Sequence, residues 1–235
     1  MVVGFDFCFS FPAWFVRDEH ESANAPAFWQ RVVEGGHAER WLTHGEDKRF
    51  WGKPHKRPAE FSGANLHRML RATDIDHKII AHIPEAERQA LVKGITPKSV
   101  FQIGGSGSVG TASLRGFPTL LRLREAGFRI WPYDKPKLSG KNPRPLIVEM
   151  YTRLNTGAVH KSNAAARAAY LLRKRREDPA YAALSRTVLA KARAGEDAFD
   201  ALISTMVMAE RRETFATLPK PRDPLHKIEG WTWAP

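Results

Sequence analysis

The sequence of 235 residues has a single cysteine, Cys8. That excludes an internal disulfide framework and a cysteine-built zinc site, and it fits a reducing, cytoplasmic setting. No apolar run reaches the roughly 18 residues that a membrane-spanning helix needs, so no membrane partner is expected. Residues 1–16 are apolar, but Asp6 and Pro12 interrupt them and no basic stretch precedes them, which argues against a signal peptide. A Gly-x-Ser-x-Gly elbow and the Gly-Lys-Ser/Thr of a Walker loop are also missing. His37/His44 and His77/His82 lack the spacing of helical metal ligands, and Cys8 has no histidine placed to activate it. Acidic residues are in short supply: 25 Asp and Glu against 37 Lys and Arg give a net charge of +12 and a pI near 10.1. Such an excess points to a polyanionic partner, DNA or RNA.

What is present reads as one α/β domain over 1–235, with a long loop or helical insertion around 36–96. Strands are expected at 2–9, 128–133 and 145–151, with an edge strand at 227–233 and a second strand or turn at 12–16. Helices are expected at 25–35, at 85–93 and from the glycine loop to about 124. Three more follow at 162–177, 179–194 and 196–213. Residues 43–63 read as surface loop, and 99–103 as a short strand or a helical turn. Strands separated by helices indicate a sheet covered by helices.

Two carboxylates interrupt apolar strands. Asp6 lies between Phe5 and Phe7, and Glu149 between Val148 and Met150. A bare buried carboxylate is costly, so each needs a cation, a strand end or a metal. The plain account of either one alone is pairing with an arginine or capping of a helix. Asp197 and Asp200 open a strongly apolar helix at spacing i, i+3 and so share a face. They fall on the margin of the stripe Phe199, Leu202, Ile203, Met206 and Val207. Asp197 fits a helix-start role better than Asp200 does. Four carboxylates brought together would be tolerable mainly around a divalent cation.

The text Asp197-Ala-Phe-Asp200-Ala-Leu202 resembles the last catalytic helix of RuvC-type resolvases. Gly4-Phe-Asp6 and Val148-Glu149-Met-Tyr151 resemble the acidic strands of RNase H-like enzymes. More closely, Gly4–Trp14, Pro97–Gln102, Gly110–Pro118, Ile130–Asp134, Val148–Tyr151 and Asp197–Leu202 are similar to a bacterial family described as predicted nucleases of RNase H fold (domain of unknown function 429). The resemblance implies an RNase H-like mixed sheet flanked by helices. That family carries a further Gly-x-Asp strand upstream of the stretch that begins here at Val2. Asp6 therefore takes either the first-strand role or, with the opening strands absent, that of a middle strand.

The expected activity is phosphodiester hydrolysis of nucleic acid by two Mg²⁺ or Mn²⁺ ions held by Asp6, Glu149, Asp197 and Asp200. Lys98 or Lys161 would offset charge on the scissile phosphate. The alternative is a catalytically inactive nucleic-acid-binding or regulatory module on the same fold. A third reading, NAD-dependent oxidation, comes from Gly105-x-Gly107-x-x-Gly110, which matches the dinucleotide fingerprint if a strand precedes it. Otherwise the glycines make a tight loop at a helix start, near Lys98 and Arg115. Three basic segments suit phosphate contacts: Lys48–Arg57 with Phe50 and Trp51 interleaved, Lys135–Arg144, and Arg173–Arg176. The last also suits a helix C-terminus.

Overall fold

The computed structural model describes residues 1–52, 56–74, 98–105 and 107–235. The helix expected at 85–93 and the His77/His82 pair lie outside them. The described residues fall into two compact units. One holds the chain up to Met150 together with Phe215–Trp233, and the other is built on Tyr151–Thr214.

The sheet of the larger unit contains β1 (Val2–Phe5), β2 (Arg129–Trp131), β3 (Leu146–Met150) and β4 (Thr232–Trp233). The order is β1-β3-β2, with β4 continuing on the far end of β3. Every pairing is parallel, where a mixed sheet was expected. β3 is buried along its whole length, as the apolar run Leu-Ile-Val predicts for a central parallel strand. β1 has β3 as its one strand neighbour among the described residues. It is shorter than the apolar run at 2–9, because the chain bends at Asp6. Gly4 pairs with Val148, and a Cβ there would lie 2.2 Å from the sulfur of Met150. The first residue of the Gly-Phe-Asp text is thus a packing requirement.

Helix α1 (Ala25–Glu34) begins where Asn24 accepts from the Ala27 N–H at 3.0 Å, and it buries Phe28, Trp29 and Val32. It packs on α2 (Val109–Glu125) through Phe28 and Phe117, whose rings are 5.9 Å apart. Phe7 lies against Gly116 of α2, where a Cβ would come within 2.4 Å of its ring. The core around these helices is largely aromatic, with Phe9, Phe11, Phe15, Phe50, Phe61 and Phe101 all buried. Residues 12–16 enter a wide π-type helical turn, Trp14–Glu19, in place of a strand. At the other end of the chain, a short helix over Leu225–Glu229 leads to Trp231, which stacks on Trp131 at 4.9 Å.

The smaller unit is helical: α3 (Thr152–Thr156), α4 (Ala164–Glu177), α5 (Pro179–Ala182), α6 (Arg186–Ala194) and α7 (Glu196–Glu210). The helix expected over 179–194 is two helices, because the Ser185 hydroxyl accepts from Val188 N–H and restarts the chain as α6. Phe199 and Ile203 of α7 bury against Leu171, Tyr181 and Leu189, with Leu202, Met206 and Val207 alongside. The stripe expected from the periodicity faces that core.

Gly4→Ala should cost about 1–3 kcal/mol in urea unfolding, the usual penalty of overpacking. In a Met150→Ala background the same change should cost almost nothing. An equal cost in both backgrounds would mean that the Met150 side chain does not set it.

Candidate functional site

Glu149 is the last residue but one of the central strand in the larger unit, almost fully buried, and its cation is Arg71. Arg71 Nη2 donates to Glu149 Oε1 at 2.6 Å and Nη1 to Oε2 at 2.9 Å. Thr232 Oγ1 donates to Oε1 at 2.8 Å, and the Phe9 N–H to Oε2 at 2.7 Å. Four donors use the roughly four acceptor positions of a carboxylate. Arg71 also forks onto Asp74, at 2.8 and 2.9 Å, and donates to the Glu229 carbonyl at 2.8 Å. The Glu229 carboxylate accepts from the Ala13 N–H at 2.7 Å and the Thr73 N–H at 3.0 Å. Arg71 and the carboxylates of Glu149 and Glu229 together therefore join the segments 9–13, 71–74 and 229–232 to the end of β3.

The electrostatics follow from this burial. Desolvation opposes the Arg71 charge, but Asp74 and Glu149 more than offset it and raise its pKa. Desolvation pushes the carboxyls of Asp74 and Glu229 above their ordinary range, against the pull of Arg71. Burial also raises the Cys8 thiol, which keeps it protonated and a poor nucleophile. Gly230 (φ +89°) passes against the pair: a Cβ there would lie 2.9 Å from Tyr133 Oη and 3.1 Å from Arg71 Nη1 and Glu149 Oε2. Tyr133 Oη is buried without a hydrogen-bond partner among the described residues.

The other acidic residues divide. Asp6 is exposed at the carboxyl end of β1, whose last residue, Phe5, pairs with Glu149. In the smaller unit Asp197 is exposed in the first turn of α7, where a negative charge suits the helix dipole. Asp200 is buried. Its Oδ2 accepts from Thr152 Oγ1 at 3.1 Å and pairs closely with Lys161 Nζ, while its Oδ1 has no hydrogen-bond partner among the described residues. Lys161 is held there by its own loop. Arg153 donates to the Val159 carbonyl at 2.8 Å, and buried Arg167 donates to the carbonyls of Lys161, Arg193 and Ala194. One rung along, Asn155 Nδ2 donates to Ser204 Oγ at 3.0 Å. Among the described residues, no three His, Cys, Asp or Glu side chains gather into a metal-holding group.

The glycine loop lacks the strand that a dinucleotide fingerprint requires. Val100 and Phe101 make a turn, and Gln102 forms an isolated bridge to Trp51. The glycines have local reasons. Gly105 and Gly107 hold φ of +80° and +79°, and a Cβ on Gly110 would strike the Val100 carbonyl at 2.1 Å. The exposed Lys98 lays its stem over Gly107. The aromatic residues of Lys48–Arg57 are not offered to a base: Phe50 is buried and stacks on Trp41 at 4.8 Å, and Trp51 packs on Phe61. Arg49 is held by Glu19 and Asp47. Lys174, Arg175 and Arg176 occupy the last turn of α4, as a dipole account expects. The exposed Lys135, Lys137, Lys141 and Arg144 form no ion pair among the described residues.

Sequence reasoning missed Arg71, Asp74, Glu229 and Arg167. The signal for the first was Glu149 itself, since a carboxylate in the middle of a buried strand requires a cation. Nothing in one sequence chooses Arg71 from the 37 Lys and Arg available.

Because its pKa is raised, Asp74 keeps its proton to higher pH in the folded chain than in the unfolded chain. The stability this contributes is complete below the ordinary pKa of about 4 and is lost as pH rises through the raised value. The cost of Asp74→Asn in urea unfolding should therefore shrink as the pH rises above about 4. A cost that grows over that range would mean the ionised pair with Arg71 dominates.

No protein-family model matches the chain, nor does any curated protein or solved structure.

Proposed function

We propose that this protein is a nucleic-acid-binding module on an α/β fold whose buried carboxylates hold the fold together. The observation that carries this reading is the contrast between two sets of charges. Arg71, Glu149, Asp74 and Glu229 are consumed internally, whereas Arg129, Lys135, Lys137, Lys141 and Arg144 are exposed and unpaired among the described residues. Cations on one loop and at the start of β2, in a chain of net charge +12, suit a phosphate backbone. The RNase H-like assignment is part of this proposal and rests on the resemblance of the strand and helix texts, with which a small parallel sheet flanked by helices is compatible. No helix among the described residues is long and apolar enough to cross a membrane. A reducing, cytoplasmic setting rests on the lone thiol of Cys8.

Metal-dependent phosphodiester hydrolysis is the second reading, and one atom favours it. Asp200 Oδ1 is buried without a donor among the described residues, and such an atom suits a bound cation. Asp197, one turn earlier, also has the chemistry of a ligand for Mg²⁺ or Mn²⁺. Glu149 does not fit, because Arg71, Thr232 and the Phe9 N–H already occupy its oxygens. A metal bound there would supply an activated water; Lys161 as placed neutralises Asp200 and is not free to meet a phosphate.

Two measurements separate these readings. Binding of a single-stranded oligonucleotide should weaken linearly on a log–log plot against salt. Replacing Lys135, Lys137 and Lys141 with Gln should reduce that slope by about 2, at roughly 0.7 for each phosphate no longer neutralised. An absence of binding at low salt would contradict the module. In a thermal-shift assay, the module reading expects Mn²⁺ to change the melting temperatures of the wild type and of Asp200→Asn by the same amount, whatever their difference without metal. Stabilisation of the wild type that Asp200→Asn abolishes would favour the metal-dependent enzyme.

A further inference from the structure

A cleft of about 260 Å³ opens where α2 ends and β2 begins, lined by Arg124, Gly127, Phe128, Arg129, Asp134 and Arg144. Three guanidiniums against one carboxylate leave it two charges positive. Among the described residues, Arg124 alone of the three is engaged, at 3.3 Å from Asp134 Oδ1, and Asp134 is itself fixed by the Ile130 N–H at 3.1 Å. Arg129 and Arg144 come from the start of β2 and from the basic loop, and neither guanidinium has an acceptor among the described residues.

Helix termination does not account for these two arginines. Three carbonyls in the last turn of α2 are already satisfied by the backbone. The N–H groups of Ala126, Gly127 and Phe128 donate to Arg122, Arg124 and Leu123 at 3.0, 2.9 and 3.0 Å. The last two bonds form a Schellman motif, with Gly127 in the left-handed conformation at φ +90°. Gly127 has a second role. A Cβ there would lie 2.7 Å from Arg144 Nη1, so the guanidinium rests in the space that a side chain would fill. The Arg144 N–H donates to the Lys137 carbonyl at 2.7 Å, which closes the neck of the basic loop beside the cleft.

We propose that this cleft binds a terminal phosphate, a phosphomonoester at a strand end. This rests on the nucleic-acid reading and names the feature of the ligand that is recognised. Guanidinium groups meet phosphate oxygens in paired, charge-assisted hydrogen bonds, and two unengaged forks converge here. The charge selects the monoester: a cleft two charges positive matches a group carrying about −1.5 to −2 at neutral pH. An internal phosphodiester has one charge and is continued by chain on both sides. Asp134 holds Arg124 at the wall and leaves Arg129 and Arg144 for the ligand.

The test uses the whole chain, inorganic phosphate, and one oligonucleotide prepared with a 5′-phosphate, with a 3′-phosphate and with neither. Either phosphorylated form should bind at least about tenfold more tightly than the hydroxyl-ended strand, the effect of one good charge-assisted contact. Inorganic phosphate should compete with that form. In an Arg129→Gln/Arg144→Gln protein, checked for an unchanged circular dichroism spectrum, the preference should disappear while residual binding of all strands remains. Gly127→Ala should weaken it through Arg144 even if both arginines are present. Equal binding of all strands, with no competition by inorganic phosphate, would overturn the cleft and leave the nucleic-acid reading standing. If inorganic phosphate binds and depends on Arg129 and Arg144, but no strand binds, the cleft is upheld for a free phosphorylated small molecule and the nucleic-acid reading fails.

Discussion

The ion pair between Arg71 and Glu149 is the constraint on which the larger unit depends. Its four strands are short: β1 and β2 end beside a buried charge on β3, and β4 starts there. Taking a carboxylate and a guanidinium out of water costs several kcal/mol each, and only near-ideal geometry with further hydrogen bonds recovers it. Here the recovery is complete at Glu149, where every acceptor position has a donor. It also has a structural yield: residues 9, 71, 149 and 232, remote in sequence, can satisfy one another in one arrangement only. Glu229 extends the same logic by accepting from the backbone of Ala13 and Thr73.

The smaller unit repeats this use of charge. Arg167 is buried so that its guanidinium can serve the final carbonyls of α6 and the carbonyl of Lys161. Lys161 in turn pairs with Asp200, and Asp200 ties α7 to α3 through Thr152. In both units the buried charged groups, Glu149 in one and Asp200 in the other, are engaged in folding. What is left for a ligand is the set of cations that folding does not use, among them those of the loop that ends at Arg144 and of the cleft that Arg129 and Arg144 line.

The elements that were legible in the sequence are those governed by local rules. Helix α1 begins at Asn24 and Pro26 and has its apolar face at helical spacing. β3 is a continuous apolar run, and α7 has its stripe where the periodicity puts it. The chain from 12 to 16 was not legible: an apolar, aromatic run fits a strand or a buried helical turn equally well, and the tertiary packing of Phe15 chose the turn. The glycine loop misled because glycine serves both a phosphate and a close backbone approach, and only the carbonyls of Val100 and Gln102 in place against Gly110 reveal which. At the candidate site, the anomaly was visible and its resolution was not. Glu149 announces that a partner exists, but the partner lies 78 residues away in sequence. Likewise Asp200 and Lys161 were each singled out, although their direct pairing depends on a loop pinned by Arg153 and Arg167.

A double-mutant cycle on Arg71 and Glu149, read by urea unfolding, tests the central claim most directly. Arg71→Met and Glu149→Gln should each cost about 3–5 kcal/mol, the penalty of stranding a buried charge or its donors. The double variant should lose clearly less than the sum, with a coupling of more than about 1 kcal/mol. Glu149→Gln with unchanged stability, or strictly additive losses, would contradict the account and return Glu149 to the set of residues free to act on a ligand.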